Sequence, residues 1–335
     1  MTRGVVLERA LAPVIVTDLA VPEPAPGQVL IKMEACGICH SDLFIAAMEK
    51  PPVVPLILGH EGIGRVQKLG AGVGSFAPGD RVGVTFLAST CGVCEWCRSG
   101  RERYCPRQLN AGYTAQGALA GYAVAFTQHL ARVPEGLSAT DAAPMCCAGW
   151  TAYRAIKETG APAGSTVAIF GMGGLGHLAV QFARHAGLRV AAVDVSEDKL
   201  ALAQGVGAEI VVRAENAIRA LQKEHGGMDA AIVLTGAAAA VGQALRSLKR
   251  CGTLVLVGLA HGSVDFPAVD AVLKGITVRG SFTGTPQDLE EVFSLAAAGV
   301  IRPHIEPHAL DDAPGLFEKL RRGELLGRAV ISFEA

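Results

Sequence analysis

The apolar run Thr166–Phe170 (TVAIF) passes without a break into Gly171-Met-Gly173-Gly174-Leu-Gly176, a G-x-G-x-x-G turn set between a strand and the opening of a helix. No other stretch of the 335 residues restricts the fold as strongly. A strand apolar on both faces must be covered on both, and a parallel sheet with helices on either side does this. The pattern continues downstream. Apolar strands are expected at 189–193, 209–212, 230–234, 253–257 and near 276–278, with helices at 174–186, 196–204 and 237–248. This alternation predicts a doubly wound, Rossmann-type parallel sheet.

The turn itself is suited to a dinucleotide. Gly171 permits the tight bend, Gly173 lets the backbone approach a pyrophosphate, and Gly176 allows the helix to pack close to the strand. Gly174 and Leu175 complete the loop, and the helix N-terminus beyond it offers free N–H groups to phosphates. Asp194 closes the next strand, where a carboxylate accepts from ribose hydroxyls and repels a 2′-phosphate; this favours NAD over NADP. Lys199, one turn into the following helix, is within reach of the same ribose. The rival reading is a glycine-rich turn that binds nothing, with Asp194 as a helix-entry residue. His177 reads as a surface or helix-face histidine rather than a catalyst.

Upstream the character differs. From Val5 to about Val133, short β-branched runs separated by Gly and Pro predict a mostly β domain. Near Ser138 the segment SATDAAPMCCAGWTAYRAI turns helix-like, and beyond Gly284 one helix (287–298) and a strand-like end, GRAVISF, are expected. The expected division is a first domain of 1–148 plus 284–335 and a second of 149–283. Lys and Arg number 30 against 31 Asp and Glu, which argues against a polybasic nucleic-acid or membrane binder. No stretch approaches the ~20 uninterrupted apolar residues of a membrane span, and charges interrupt every apolar run of the N-terminus, so a cytoplasmic chain without a signal peptide is expected.

Eight of the nine cysteines lie in the first 147 residues, a clustering that reads as metal ligation in a reducing compartment. Cys91, Cys94, Cys97 and Cys105 place four thiols within fifteen residues of a polar, Gly-marked lobe (89–106). Four thiolates close a tetrahedral Zn²⁺ shell and leave no open position, so such a site is structural; an iron–sulfur cluster shares the ligand type. A second constellation is dispersed: Cys36-Gly-Ile-Cys39-His40-Ser41-Asp42, then Gly59-His60-Glu61, then Cys146-Cys147. Two thiolates and an imidazole would leave a fourth position for water or substrate. Spacing alone does not bring these residues together, and a redox dithiol or two buried small side chains at 36 and 39 stay open alternatives.

With CGICHSD (36–42), GHEGIGRVQKLGAGV (59–73), the four-cysteine lobe, CAGWTAY (147–153), GMGGLG (171–176) and LLGRAV (325–330) in this order, the chain resembles the zinc-dependent medium-chain alcohol dehydrogenases, particularly the yeast and bacterial type. The resemblance implies a GroES-like catalytic domain beside the Rossmann domain, reversible NAD-linked alcohol oxidation, a catalytic and a structural zinc in each subunit, and a homotetramer with a dimer as runner-up. It implies Cys39, His60 and Cys147 as catalytic zinc ligands, Glu61 as a transient ligand, and Asp42 as the carboxylate orienting His60. Cys36, Cys146 and Cys251 are left as packing thiols. Ser41 falls where the family takes the alcohol proton, His40 and Arg328 at the coenzyme pyrophosphate, and Thr151, Leu175, Val257 and Leu259 around the nicotinamide.

Two departures from the family matter. Phe44 replaces the histidine that relays the proton to solvent. Phe86 and Ala46-Ala47-Met48 replace tryptophans that narrow the pocket of ethanol-preferring relatives, so larger alcohols are expected as substrates. The alternatives are an aldehyde or ketone reductase of the cinnamyl-alcohol type, and a non-catalytic zinc- and dinucleotide-binding redox sensor.

Overall fold

A computed structural model describes residues 1–259, 263–264 and 268–333. The chain forms two compact units, one of Met1–Trp150 with Gly284–Ala335 and one of Thr151–Thr283.

In the first unit the strand Gln28–Gly37 is the organising element. Val29, Ile31, Met33 and Ala35 are buried at period two while Lys32 is exposed. It pairs antiparallel with Gly62–Leu69, Tyr122–Phe126 and Arg328–Ser332, so the C-terminal end of the chain becomes part of the same sheet. Arg81–Val84 and Ala131–Arg132 extend that sheet on one side, and Ile305–His308 lies parallel to Arg328–Ser332 on the other. A small second sheet joins Ile15–Leu19, Thr2–Leu7 and Leu56–Ile57. Trp150 Nε1 donates to Thr285 O at 2.7 Å, tying the point where the chain leaves this unit to the point where it returns.

Two features of this unit correct the sequence reading. The C-terminal segment contains two α-helices, Pro286–Ala297 and Ala313–Arg321, where one was expected. The second is only nine residues long, carries Pro314 in its first turn and buries Ala313, Leu316, Phe317 and Leu320, a helical i, i+3, i+4, i+7 spacing that the sequence reading passed over. The helix-like segment after Ser138 is not continuous either: an α-turn Ala139–Ala142 and a 3₁₀ turn Ala143–Cys146 precede the helix Ala148–Thr159, with Cys147 at the break.

The second unit is a six-stranded parallel sheet among the described residues, in the order Ile210–Arg213, Arg189–Asp194, Thr166–Phe170, Met228–Val233, Leu248–Leu256, Thr277–Gly280. Every residue of Thr166–Phe170 is buried, as its apolar sequence requires. Strand order reverses around this strand, and the glycine-rich turn leaves from its C-terminal end, where open α/β sheets bind ligands. The helices Gly176–His185, Glu197–Gly205 and Ala238–Ser247 connect the strands. Cys251 is a correction: it lies in Leu248–Leu256 at φ 60°, between residues where the pairing to Met228–Val233 shifts register, and is exposed rather than packed.

Candidate active site

Sheet register assembles the site at one end of Gln28–Gly37. Gly37 N donates to Glu61 O at 3.0 Å and Ile38 N to Ala329 O at 3.0 Å, so the segments carrying Cys39, His60–Glu61 and Arg328 leave the sheet side by side. A β-carbon at Gly37 would stand 2.0 Å from Glu61 Oε2, so this close approach requires glycine. Cys39 precedes the helix His40–Ala46, and Asp42 Oδ2 accepts from Cys39 N at 2.9 Å to fix that turn. Cys147 reaches the cluster from the break between two helical turns. The ligand atoms of Cys39, His60, Glu61 and Cys147 all lie within 4.8 Å of one another.

The charges around this cluster are buried. Asp42 Oδ1 accepts from Gly59 N at 3.2 Å and stands 3.2 Å from His60 Nδ1, which turns His60 Nε2 away from Asp42. Both imidazole nitrogens and Glu61 Oε1 are buried and meet no hydrogen-bond partner among the described residues, so Asp42 faces Nδ1 as a charge contact and Nε2 has no partner at all. Arg328 Nη2 donates to Glu61 Oε2 at 2.5 Å. Burial pushes the Glu61 carboxyl up to about 7, against the pull of Arg328. A hydrogen bond from Cys147 holds the Cys39 thiol well below its usual value, and the same bond holds Cys147 above. Two sulfurs and an imidazole nitrogen without a partner thus meet in one buried cluster, a donor set that fits Zn²⁺. Ser41 Oγ is 3.8 Å from Cys39 Sγ, and the Phe86 ring meets the His60 ring edge-on at 5.2 Å. Cys36 and Cys146 are buried outside the cluster.

The ribbon of Leu87–Ser89 and Leu109–Asn110 closes the base of the four-cysteine lobe. Cys91, Cys94, Cys97 and Cys105 place their sulfurs within 4.8 Å of one another, with Cys94 and Cys97 3.5 Å apart. The Val93 amide brings Cys91 down to about 5, whereas desolvation pushes Cys97 up to about 11. Four sulfurs at this separation fit a closed tetrahedral metal shell.

In the second unit Gly171 has φ 98°, and a β-carbon on Gly176 would meet Gly171 O at 2.2 Å, whereas one on Gly173 would meet nothing within 4 Å. The turn is thus tight at its ends and open at its middle. Asp194 Oδ2 accepts from Met172 N at 2.6 Å and Oδ1 from Ser196 N at 2.9 Å, so this carboxylate also braces the turn. Lys199 is half-buried on a helix capped by Ser196. Thr151 is buried, Leu175 and Val257 are half-buried, and Leu259 is 66% exposed. His177 is not at the surface: it is fully buried, with Nδ1 3.2 Å from Gly173 O.

Of the two residues assigned to pyrophosphate, His40 is exposed and Arg328 is buried against Glu61. The Glu61–Arg328 pair and the Phe86–His60 contact were not read from the sequence. A signal for the first existed, since an arginine opening the buried strand Arg328–Ser332 demands an anionic partner.

Residues 174–298 match the family described as zinc-binding dehydrogenase, and residues 25–135 match the alcohol dehydrogenase GroES-like domain. An alcohol dehydrogenase of Geobacillus stearothermophilus is 44% identical over 317 residues, covering 93% of this chain and 94% of its own. Among solved structures, acetophenone reductase from Geotrichum candidum, in complex with NAD, is 31% identical with a TM-score of 0.89, covering 99% of this chain and 97% of its own. A protein of Sinorhizobium meliloti 1021 bound to NADP is 30% identical with a TM-score of 0.89, covering 99% of both chains.

Proposed function

The chain belongs to the zinc-dependent medium-chain alcohol dehydrogenases, oxidoreductases acting on alcohols, and we propose that it reversibly oxidises the bulkier primary and secondary alcohols with NAD. In this reading Cys39, His60 and Cys147 hold the catalytic zinc and the four cysteines of the lobe hold a second, structural one. The observation that carries it is the meeting of two thiols with the unpartnered Nε2 of His60 in one buried cluster.

A zinc ion bound there would supply Lewis acidity, lowering the pKa of a hydroxyl as it lowers that of water. The bound nicotinamide would accept the hydride. Ser41 Oγ, 3.8 Å from Cys39 Sγ, takes the alcohol proton. Phe44 has no acceptor atom, so the proton passes from Ser41 to water rather than to a side chain two positions past Asp42. Asp42 fixes the imidazole through Nδ1 and keeps Nε2 on the metal side. Arg328 holds Glu61, the carboxylate available to the metal position when water or product exchanges. Phe86 gives the cluster an apolar wall, which suits an apolar substituent on the substrate.

NAD is favoured over NADP by Asp194, since a carboxylate repels a 2′-phosphate; structural relatives bind one or the other. A homo-oligomer, tetrameric or dimeric, is supported by the sheet edge: all four residues of Thr277–Gly280 are exposed, and Ala268–Lys274 exposes Val269, Val272 and Leu273. Among the described residues no helix is long and apolar enough to cross a membrane. A cytoplasmic setting suits nine free cysteines, six of which belong to the proposed zinc ligand sets.

Reduction of aldehydes or ketones is the same chemistry reversed, and the likeness to acetophenone reductase favours including it. The test is NADH formation and consumption by the zinc-loaded protein over ethanol, longer aliphatic, secondary and benzylic alcohols and their carbonyl products, with a chelated control. Chelator-sensitive turnover rising with substrate bulk is expected. Full zinc occupancy and NADH binding without turnover in either direction would replace this reading with a binding protein.

A further inference from the structure

The first unit contains a cavity of about 150 Å³ that no proposed ligand residue lines. Its walls come from 84–85, 87–88, 124–126 and 129–130, with Gln28, Ala111, Ala115 and Gln116 completing the lining. Val84, Leu87, Val124, Phe126 and Leu130 make the lining aliphatic and aromatic. None of the lining residues is acidic or carries a Lys or Arg charge.

The few polar side chains there are committed to partners in the protein. Thr85 Oγ1 donates to Leu87 O at 3.2 Å. Gln116 accepts from Ile57 N at 2.7 Å and donates to Pro55 O at 3.1 Å. Gln28 Oε1 accepts from Ala25 N at 3.0 Å, and His129 Nε2 lies 3.1 Å from Thr90 Oγ1. The space opens partly to solvent at Gln116, but water against its apolar walls finds few partners, whereas one aromatic ring has about the size to cover them.

We propose that this cavity is a binding site for a neutral molecule of one aromatic ring or comparable apolar size, distinct from the metal and coenzyme sites. The proposal rests on the cavity alone and stands or falls apart from the alcohol chemistry. An occupant leaves the polar contacts of Thr85, Gln116 and Gln28 in place, and its hydrophobic burial supplies the affinity. Ala88 and Ala115 are half-buried lining residues, and each can carry a larger side chain into the space.

The test follows fluorobenzene by ¹⁹F relaxation as it is titrated into the zinc-loaded full chain. Fluorobenzene has no hydroxyl to oxidise. Saturable binding is expected in the parent and in Cys39→Ser, and binding weakened at least about tenfold in Ala88→Leu and in Ala115→Leu, these two filling variants keeping their circular dichroism and alcohol turnover. Two filling variants keep the test alive if one fails to fold. A crystal grown with bromobenzene should place the bromine among Val84, Leu87, Val124 and Leu130. Absence of saturable binding overturns the proposal, as does binding unchanged by both filling variants, binding lost in Cys39→Ser, or bromine found only elsewhere.

Discussion

Replacing Asp42 with alanine should loosen the catalytic metal while sparing the structural one. Asp42 is fully buried and its oxygens serve Cys39 N at 2.9 Å, Gly59 N at 3.2 Å and His60 Nδ1 at 3.2 Å. The variant strands two backbone donors, each costing about 1–3 kcal/mol, so a loss of roughly 2–6 kcal/mol is expected in the metal-free protein. For a unit of this size each kcal/mol lowers the unfolding midpoint by roughly 2–4 °C. Freeing the imidazole from its outer partner should weaken zinc at that site by about 10–100-fold. Zinc release to a colorimetric chelator measures this directly: one equivalent should leave faster than from the parent, and the other, held by Cys91, Cys94, Cys97 and Cys105, should leave at an unchanged rate. Asp42→Asn keeps one carbonyl oxygen and should fall between the two. Parent-like release of both equivalents, with a midpoint within ~2 °C, would refute the claim that this carboxylate holds the site together.

Asp194→Ala removes both the ribose acceptor and the bonds to Met172 N and Ser196 N; kcat/KM with NAD should fall at least about tenfold and the NADP/NAD ratio should rise, so an unchanged ratio would count against the ribose role. Phe44→His should speed alcohol oxidation near neutral pH, with a gain that grows as pH rises through the ordinary histidine value of about 6.5, because only the neutral ring accepts a proton; a flat pH response would show that the relay is dispensable. In Cys97→Ser the metal content should drop by one per chain, and the emission of Trp96, which sits on the lobe beneath Arg101 at 4.8 Å, should change with it. Retention of both metals in that variant would remove the structural assignment.

The parallel sheet was legible because each strand is decided by its own composition. Thr166–Phe170 was expected at its observed bounds, and Arg189–Asp194 within a residue. Legibility fails where tertiary contacts choose the conformation. Ala313–Arg321 shows its buried face at 313, 316, 317 and 320 and was open to reading, whereas Leu248–Leu256 extends back through Lys249-Arg250-Cys251, a stretch with no strand-like composition. His177 was misplaced for the same reason: its sequence neighbours do not reveal that the helix carrying it is covered at that face. The tight bend at Gly171 and the close approach at Gly176 follow from the glycine spacing, but the bond of Asp194 to Met172 N does not, since a carboxylate reaching back 22 residues leaves no periodic trace.

The two cysteine clusters show where the boundary lies. Four thiols within fifteen residues need only local turns, here Glu95–Arg98 and a 3₁₀ turn Glu102–Tyr104, to converge, so their spacing carries the geometry with it. The dispersed cluster depends on register. Cys36 pairs with Gly62 inside the sheet, and its sulfur is buried in the core; two residues later Ile38 N is fixed to Ala329 O, the chain leaves the sheet, and Cys39 turns toward His60. A one-residue slip of Gln28–Gly37 against Gly62–Leu69 would reverse which side chains face the core. The selection of Cys39 over Cys36 is therefore made by the pairing of three strands distant in sequence. Spacing within the Cys-x-x-Cys motif could not supply it, and the resemblance to a family could.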